Sequence, residues 1–225
     1  RNYIVYGNDE IWITELNEDL TAPKKDGLHR LLVSDHKNPE LGYEGSHIQK
    51  INGYYYIFLI HSLRDRWMRT EACFYSDSLE GEFTGGDVLC DDRGYCGQGV
   101  AQGGIVDTPD GKWYAMLFQD FGAVGRIPIL LPVTWKDHFP VFGQNGHVPE
   151  EIEVHSTRPG YIYQPLVGSD DFCNGLLPRW QFNHDPDPRY YHLDALQGTY
   201  TITTREVCTE LTQAVNTLTQ RMSYP

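Results

Sequence analysis

The chain contains no stretch of about 18 apolar residues, so no segment reads as a transmembrane helix. It also lacks the common signatures of nucleotide and nucleophile chemistry: there is no GxxxxGK[ST] loop, no GxGxxG and no Ser-His-Asp order. Basic residues are scarce. Lys and Arg number 18 against 31 Asp and Glu, a net charge of −13, which argues against non-specific binding to nucleic acid or anionic membrane and suits a neutral ligand. The five cysteines (Cys73, Cys90, Cys96, Cys173, Cys208) include no C-x-x-C pair, which argues against zinc. Their odd number leaves a free thiol within a monomer and points to a reducing compartment rather than a disulfide framework. No secretory leader is visible, so a cytoplasmic location is expected. The chain starts at Arg1 rather than Met, and Arg1 to Gly7 reads as the second half of a hairpin, so it is expected to be a fragment of something longer. From 1 to 140 no convincing helical period occurs.

What is present is alternation punctuated by turn residues. Asn2 to Tyr6 and Glu10 to Leu16 are short strands split by Gly7-Asn8-Asp9, and His29 to Ser34 is another. Ile48 to Ile51 and Tyr54 to Ser62 form a hairpin across Asn52-Gly53, a strong two-residue turn signal, and Glu71 to Asp77 follows as a third strand. The pattern returns with Gly103 to Asp107, the Thr108-Pro109-Asp110-Gly111 turn, the strand Lys112 to Phe118, then Gly125 to Leu131 and an edge segment Val133 to Trp135. The recurrence has a period of about 55 residues, and the part before Thr21 reads as a half copy. Repeated four-strand units of roughly this length are the mark of a β-propeller. Composition shifts to Gly, Pro, Glu and Asn from Phe142 to His155, a linker. Short runs then return at Trp180 to Phe182, Tyr190 to Leu193 and Thr199 to Thr204, as the start of a second β domain. The tail Glu206 to Met222 is open between helix, from its Leu211, Val215 and Leu218, and strand.

One carboxylate stands out. Glu44 lies between Gly42 and Gly45, just before the Ile48 strand. Glycines allow a tight path that brings a side chain to the end of a sheet, although a glutamate in such a turn is ordinarily just solvated. Its surroundings shift the balance. Glu44-Gly45-Ser46-His47, an apolar strand, Asn52-Gly53 and Tyr54-Tyr55-Tyr56-Ile57-Phe58 resemble the E-G-P-H…D-G-Y-Y-Y motif of glycoside hydrolase family 43. Gly103 to Tyr114 is similar to that family's G-H-G-x-V-x-T-P-D-G-x-W-Y signature, and Gly125-Arg126 with Pro132-Val133-Thr134-Trp135 resembles its G-R…P-V-x-W segment.

The resemblance implies an all-β chain: part of a five-bladed β-propeller (1–145, the end of blade three with blades four and five), a linker at 146–160 and a truncated C-terminal β-sandwich at 161–225. It implies an inverting glycosidase that releases terminal xylose or arabinose from xylan or arabinoxylan-type oligosaccharides. Glu44 would be the general acid, with Tyr43 and Trp67 as pocket walls. Arg126, Gln102, His47 and Trp67 would be the sugar-binding residues. Hydrolysis needs a second, ionised carboxyl. The family's base and its second, tuning aspartate would both lie upstream of Arg1, so an N-terminal companion chain or a second copy is expected to complete the propeller. No cofactor is expected to be required. Calcium is the one metal the family offers, and Gln102, in place of the family's histidine, argues against it. The rival reading is a carbohydrate-binding fragment that does not hydrolyse.

Overall fold

A computed structural model describes residues 1–154 and 156–221. The expected linker's His155 and the tail's Met222 lie outside them. The chain forms two compact units, Arg1–Val154 and His155–Pro225.

The first unit consists of three antiparallel meanders. Strands β1 (Asn2–Asn8), β2 (Glu10–Leu16) and β3 (His29–Ser34) form one sheet. Strands β4 (Glu44–Ile51), β5 (Tyr54–Ser62), β6 (Arg69–Ser76) and β7 (Thr84–Leu89) form the second. Strands β8 (Ala101–Asp107), β9 (Trp113–Asp120), β10 (Arg126–Lys136) and β11 (Phe139–Phe142) form the third. They are blades of a β-propeller. The leading blade has three strands rather than a half set, because the loop Asn17–Leu28 folds back through Glu15 N→Leu28 O (2.7 Å) and Lys24 N→Glu15 O (2.9 Å), returning the chain to pair as β3. The Val133 to Trp135 segment is not an edge strand of its own. It continues β10, and the outermost strand is β11, reached across Asp137 and His138, both at positive φ (49° and 67°). Phe142, placed at the start of the linker from composition, is a buried residue of that strand.

The middle blade is covered on both faces, which explains its long apolar run. Along β5, Tyr56 and Phe58 pack with Cys73, Leu117, Leu131 and Phe142 of one core. Ile57 and Leu59 pack with Ile11, Ile13, Leu32 and Phe83 of the other. Alternate residues of a strand point to opposite faces, so one sequence serves two cores. Each fully buried Ile or Leu contributes roughly 1.5–3 kcal/mol. The Asn52-Gly53 turn has φ of 48° and 93°, the primed geometry that matches strand twist.

The second unit contains the pair β12 (Gln181–Phe182) with β15 (Leu218–Thr219) and the hairpin β13 (Tyr191–Asp194) with β14 (Thr199–Ile202). Phe172, Trp180, Tyr191 and Tyr200 gather between them, and Trp180 Nε1 donates to Asp170 Oδ2 at 2.8 Å. The tail takes neither long helix nor long strand. Leu211–Gln213 is a single 3-10 turn ahead of the short β15. All five cysteines are free.

Candidate active site

The inner strands β1, β4 and β8 lie side by side, and their ends converge on Glu44. The turn after β1 anchors the approach. Asp9 N donates to Tyr43 O at 2.8 Å, and Asp9 Oδ1 and Oδ2 accept Lys37 N at 2.9 and 3.0 Å. A side chain at Gly42 would come within 2.7 Å of Asp9 Oδ1, so this approach requires glycine. From the other side Ser62 N donates to Leu41 O at 2.9 Å. Glu44 is thereby fixed as the first residue of β4, opposite Ile60, and is half-buried. Asn8 Nδ2 donates to Glu44 Oε2 at 2.9 Å.

Two bulges meet beside this carboxyl. The β4–β5 register shifts between Glu44 and His47, with Gly45 at φ 62°. The β8–β9 register shifts between Ala101 and Gly104, with Gln102 at φ 62°. Gln102 lies directly against Gly45, so that a methyl group on Gly45 would run into the Gln102 amide. Bulges near sites re-aim side chains at the cost of ladder bonds. His47, exposed, lies next to Gly104 of β8, so it is not a core histidine.

A cationic pair lies on the same side. Arg126 Nε is 3.3 Å from Asp120 Oδ1, and its guanidinium stacks on Phe118 at 4.4 Å. Arg69 stacks on Phe118 at 4.8 Å and also pairs with Asp120. Arg69 is buried (3% exposed), and burial draws it below its ordinary value while the carboxylates of Asp120 and Glu44 push it back up. Two residues along β6, Glu71 is 0% exposed. Burial drives its carboxyl well above the usual carboxylate range, against the opposing pull of the Gln102 N–H and Arg69.

The structure thus brings Glu44, Gln102 and His47 onto neighbouring inner strands and sets Arg126 beside Arg69. Trp67 lies on the β5–β6 loop, 42% exposed, beside Gly97. Tyr43 is not a pocket wall. It is 8% exposed and packs with His61 and Phe74, because the residue before Glu44 faces the opposite side of the chain and enters the core. Asn8, Arg69 and Glu71 were not singled out from sequence. For the last two a signal existed: two charges at i and i+2 opening an otherwise buried strand share one face, and buried charges need a reason.

Three meander blades with polar groups gathered at their inner ends are part of a β-propeller. A solved structure of a bifunctional GH43-CE protein from Bacteroides eggerthii matches 97% of this chain and 28% of its own, with a TM-score of 0.81 and 42% identity. The Bacteroides ovatus xyloglucan PUL GH43B structure shares the fold over 99% of this chain and 46% of its own, with a TM-score of 0.73 at 20% identity. Among curated proteins, a putative β-xylosidase of Xylanibacter ruminicola is 28% identical over 166 residues, 71% of this chain. The non-reducing end α-L-arabinofuranosidase BoGH43B of Bacteroides ovatus is 26% identical over 175 residues, 69% of this chain. The chain spans 31% of the length of each of these two relatives. No family model matches it. These similarities cover most of the chain and support its reading as part of a glycoside hydrolase family 43 protein.

Proposed function

We propose that this chain supplies the acid half of an inverting glycosidase that releases terminal xylose or arabinose from xylan-type oligosaccharides. Glu44 gives its proton to the leaving glycosidic oxygen. A carboxylate on the far side of the sugar takes a proton from water, and that water attacks the anomeric carbon with inversion. The observation that carries the reading is the placement of Glu44 at the meeting point of β1, β4 and β8, next to a cationic pair and two strained bulges. Arg126, with its fork of donors, suits two sugar hydroxyls, and Gln102 and His47 extend the polar lining. The names of the curated relatives fit both pentoses, which present similar hydroxyl geometry.

The water-activating carboxylate is expected from a segment outside this chain. Asp120 is engaged by Arg69 and Arg126, and Glu71 is sealed in the core, so neither suits the role. β1 is the edge of its sheet, and Ile4 and Tyr6 on its outward face are 45% and 43% exposed. At the other end of the blade series Val106 and Met116 are 53% and 49% exposed. Open edges and apolar faces of this kind favour a companion: an N-terminal chain, or otherwise a second copy. Intact mass under denaturing conditions, run on natively purified protein, tests this. A second polypeptide supports the N-terminal companion, and a single 25.8 kDa species that light scattering shows to be monomeric overturns both forms.

Calcium fits poorly. Among the described residues no three His, Cys, Asp or Glu side chains cluster to hold a metal, and Gln102 offers one neutral oxygen where calcium takes six to eight. No step here runs through a metal. The proposal is tested with 4-nitrophenyl β-D-xyloside and α-L-arabinofuranoside: Glu44→Gln should lose about 100- to 10,000-fold in kcat while still binding xylobiose. Saturable xylobiose binding with no release from wild type favours the second reading, a sugar-binding fragment. The engagement of Asp120 and Glu71 is what favours that reading for the chain alone.

A further inference from the structure

Glu71 is a fully buried carboxyl that the proposed chemistry does not use. Its Oε2 accepts the Gln102 backbone N–H at 2.6 Å, and its Oε1 has no hydrogen-bond partner among the described residues. Burying the carboxyl is costly if it is charged, and even the neutral form leaves a polar atom unmatched.

The group it holds is the unusual one. Gln102 adopts φ 62°, a left-handed conformation that is strained for a non-glycine residue. It sits in the β8 bulge, where a register shift takes its N–H out of the ladder. Without an acceptor that partly buried N–H would be left without a protein partner. Glu71, from the neighbouring blade, supplies the acceptor. Beyond the kink the Gln102 side chain lies against Gly45, which is itself left-handed and adjoins Glu44 in the chain. A continuous series of contacts therefore runs from β6 through the β8 bulge to the β4 bulge.

We propose that Glu71 is a positioning residue that holds the Gln102 kink and, through the Gln102 amide packed on Gly45, sets the direction of Glu44. Burial pushes its carboxyl well above the usual carboxylate range, and its Oε2 stands as a fixed acceptor for the kinked backbone. The kinetic part of this inference rests on the glycosidase reading, and the backbone part does not.

The test uses natively purified protein and three variants: Glu71→Leu, Glu71→Gln and Gln102→Ala. Amide hydrogen exchange at Gln102 should quicken at least about tenfold in Glu71→Leu and stay near wild type in Glu71→Gln, whose amide oxygen still accepts. On the 4-nitrophenyl glycosides Glu71→Leu should lower kcat about tenfold or more with KM within about threefold, while Glu71→Gln keeps at least about a third of wild-type kcat. In a Gln102→Ala background Glu71→Leu should cost little further kcat, because contacting residues on one route do not add. Equal Gln102 exchange in wild type and Glu71→Leu overturns the clamp. A fully additive kcat loss in the double variant shows a merely structural role and overturns the positioning. If Glu71→Leu does not fold, Gln102→Ala alone decides, since unchanged kcat there means nothing is being positioned. If wild type releases no sugar, the glycosidase reading falls, and exchange at Gln102 still decides the clamp.

Discussion

The Asn8 side-chain amide donates to Glu44 Oε2 at 2.9 Å, so the last residue of β1 holds a carboxyl that belongs to β4. The bond joins two blades and fixes one oxygen of Glu44. Hydrogen bonds to charged or acidic groups are worth about 1.5–3 kcal/mol when shielded and less when exposed, as Asn8 is. Asn8→Ala should therefore lower kcat about tenfold, with folding stability close to wild type. Steady-state kinetics on both aryl glycosides, paired with a thermal melt, checks this.

Gly45→Ala tests the meeting of the two bulges. Alanine at φ 62° is strained by about 1–2 kcal/mol, and its methyl group meets the Gln102 amide. The thermal midpoint should fall by about 3–8 °C. Adding Gln102→Ala should recover part of that loss by clearing the space, and a double variant as unstable as the single one would show that backbone strain alone is responsible.

Arg126 and Arg69 share Phe118 and Asp120 but differ in exposure. Arg126, with 63% of its side chain exposed, should tolerate Arg126→Ala in stability and lose binding, with KM raised about tenfold. Arg69→Ala should instead destabilise the fold, because a buried guanidinium leaves a cavity and takes from Asp120 the buried one of its two arginine partners. Urea titration alongside kinetics separates the two. Equal stability losses would show that exposure does not distinguish them.

Behind Tyr43, His61 is 6% exposed and bonds two carboxylates, Nδ1 to Asp35 Oδ2 at 3.1 Å and Nε2 to Asp87 Oδ1 at 2.8 Å. Burial lowers its proton affinity, and Asp87 and Asp35 outweigh that, leaving it above the ordinary 6.5. The folded state thus holds this proton more tightly than the unfolded chain. The stabilisation is complete below pH about 6.5 and is lost as pH rises through the higher folded value. Asn38, whose Nδ2 donates to Asp35 Oδ2 at 2.8 Å, Arg64, 3.5 Å from Asp35 Oδ1, and the un-ionised Tyr43 also face the cluster. The gap in urea midpoint between wild type and His61→Asn should narrow from pH 6 to pH 9. A gap that stays constant would mean His61 holds its proton equally in the folded and unfolded states, and one that widens would mean it folds neutral.

The sequence alone determined the parts set by local chemistry. The Asn52-Gly53 and Asp110-Gly111 turns, the apolar runs of β5 and β9 and the glycines around Glu44 depend on neighbours a few residues away, so strands, turns and the half-buried carboxylate were legible. Arg126 was found through its motif. The tertiary structure alone decided the rest. Whether Tyr43 lines the pocket or fills the core depends on which side of an irregular approach meets the first blade. Whether Phe142 is linker or strand depends on β10 running on past Trp135. Asn8, Arg69 and Glu71 gain their roles from residues on other blades, 36, 51 and 31 positions away in sequence. Sequence periodicity reports which face of a strand is apolar. It does not report which blade end will meet it, because that is fixed by packing two cores against one shared middle sheet.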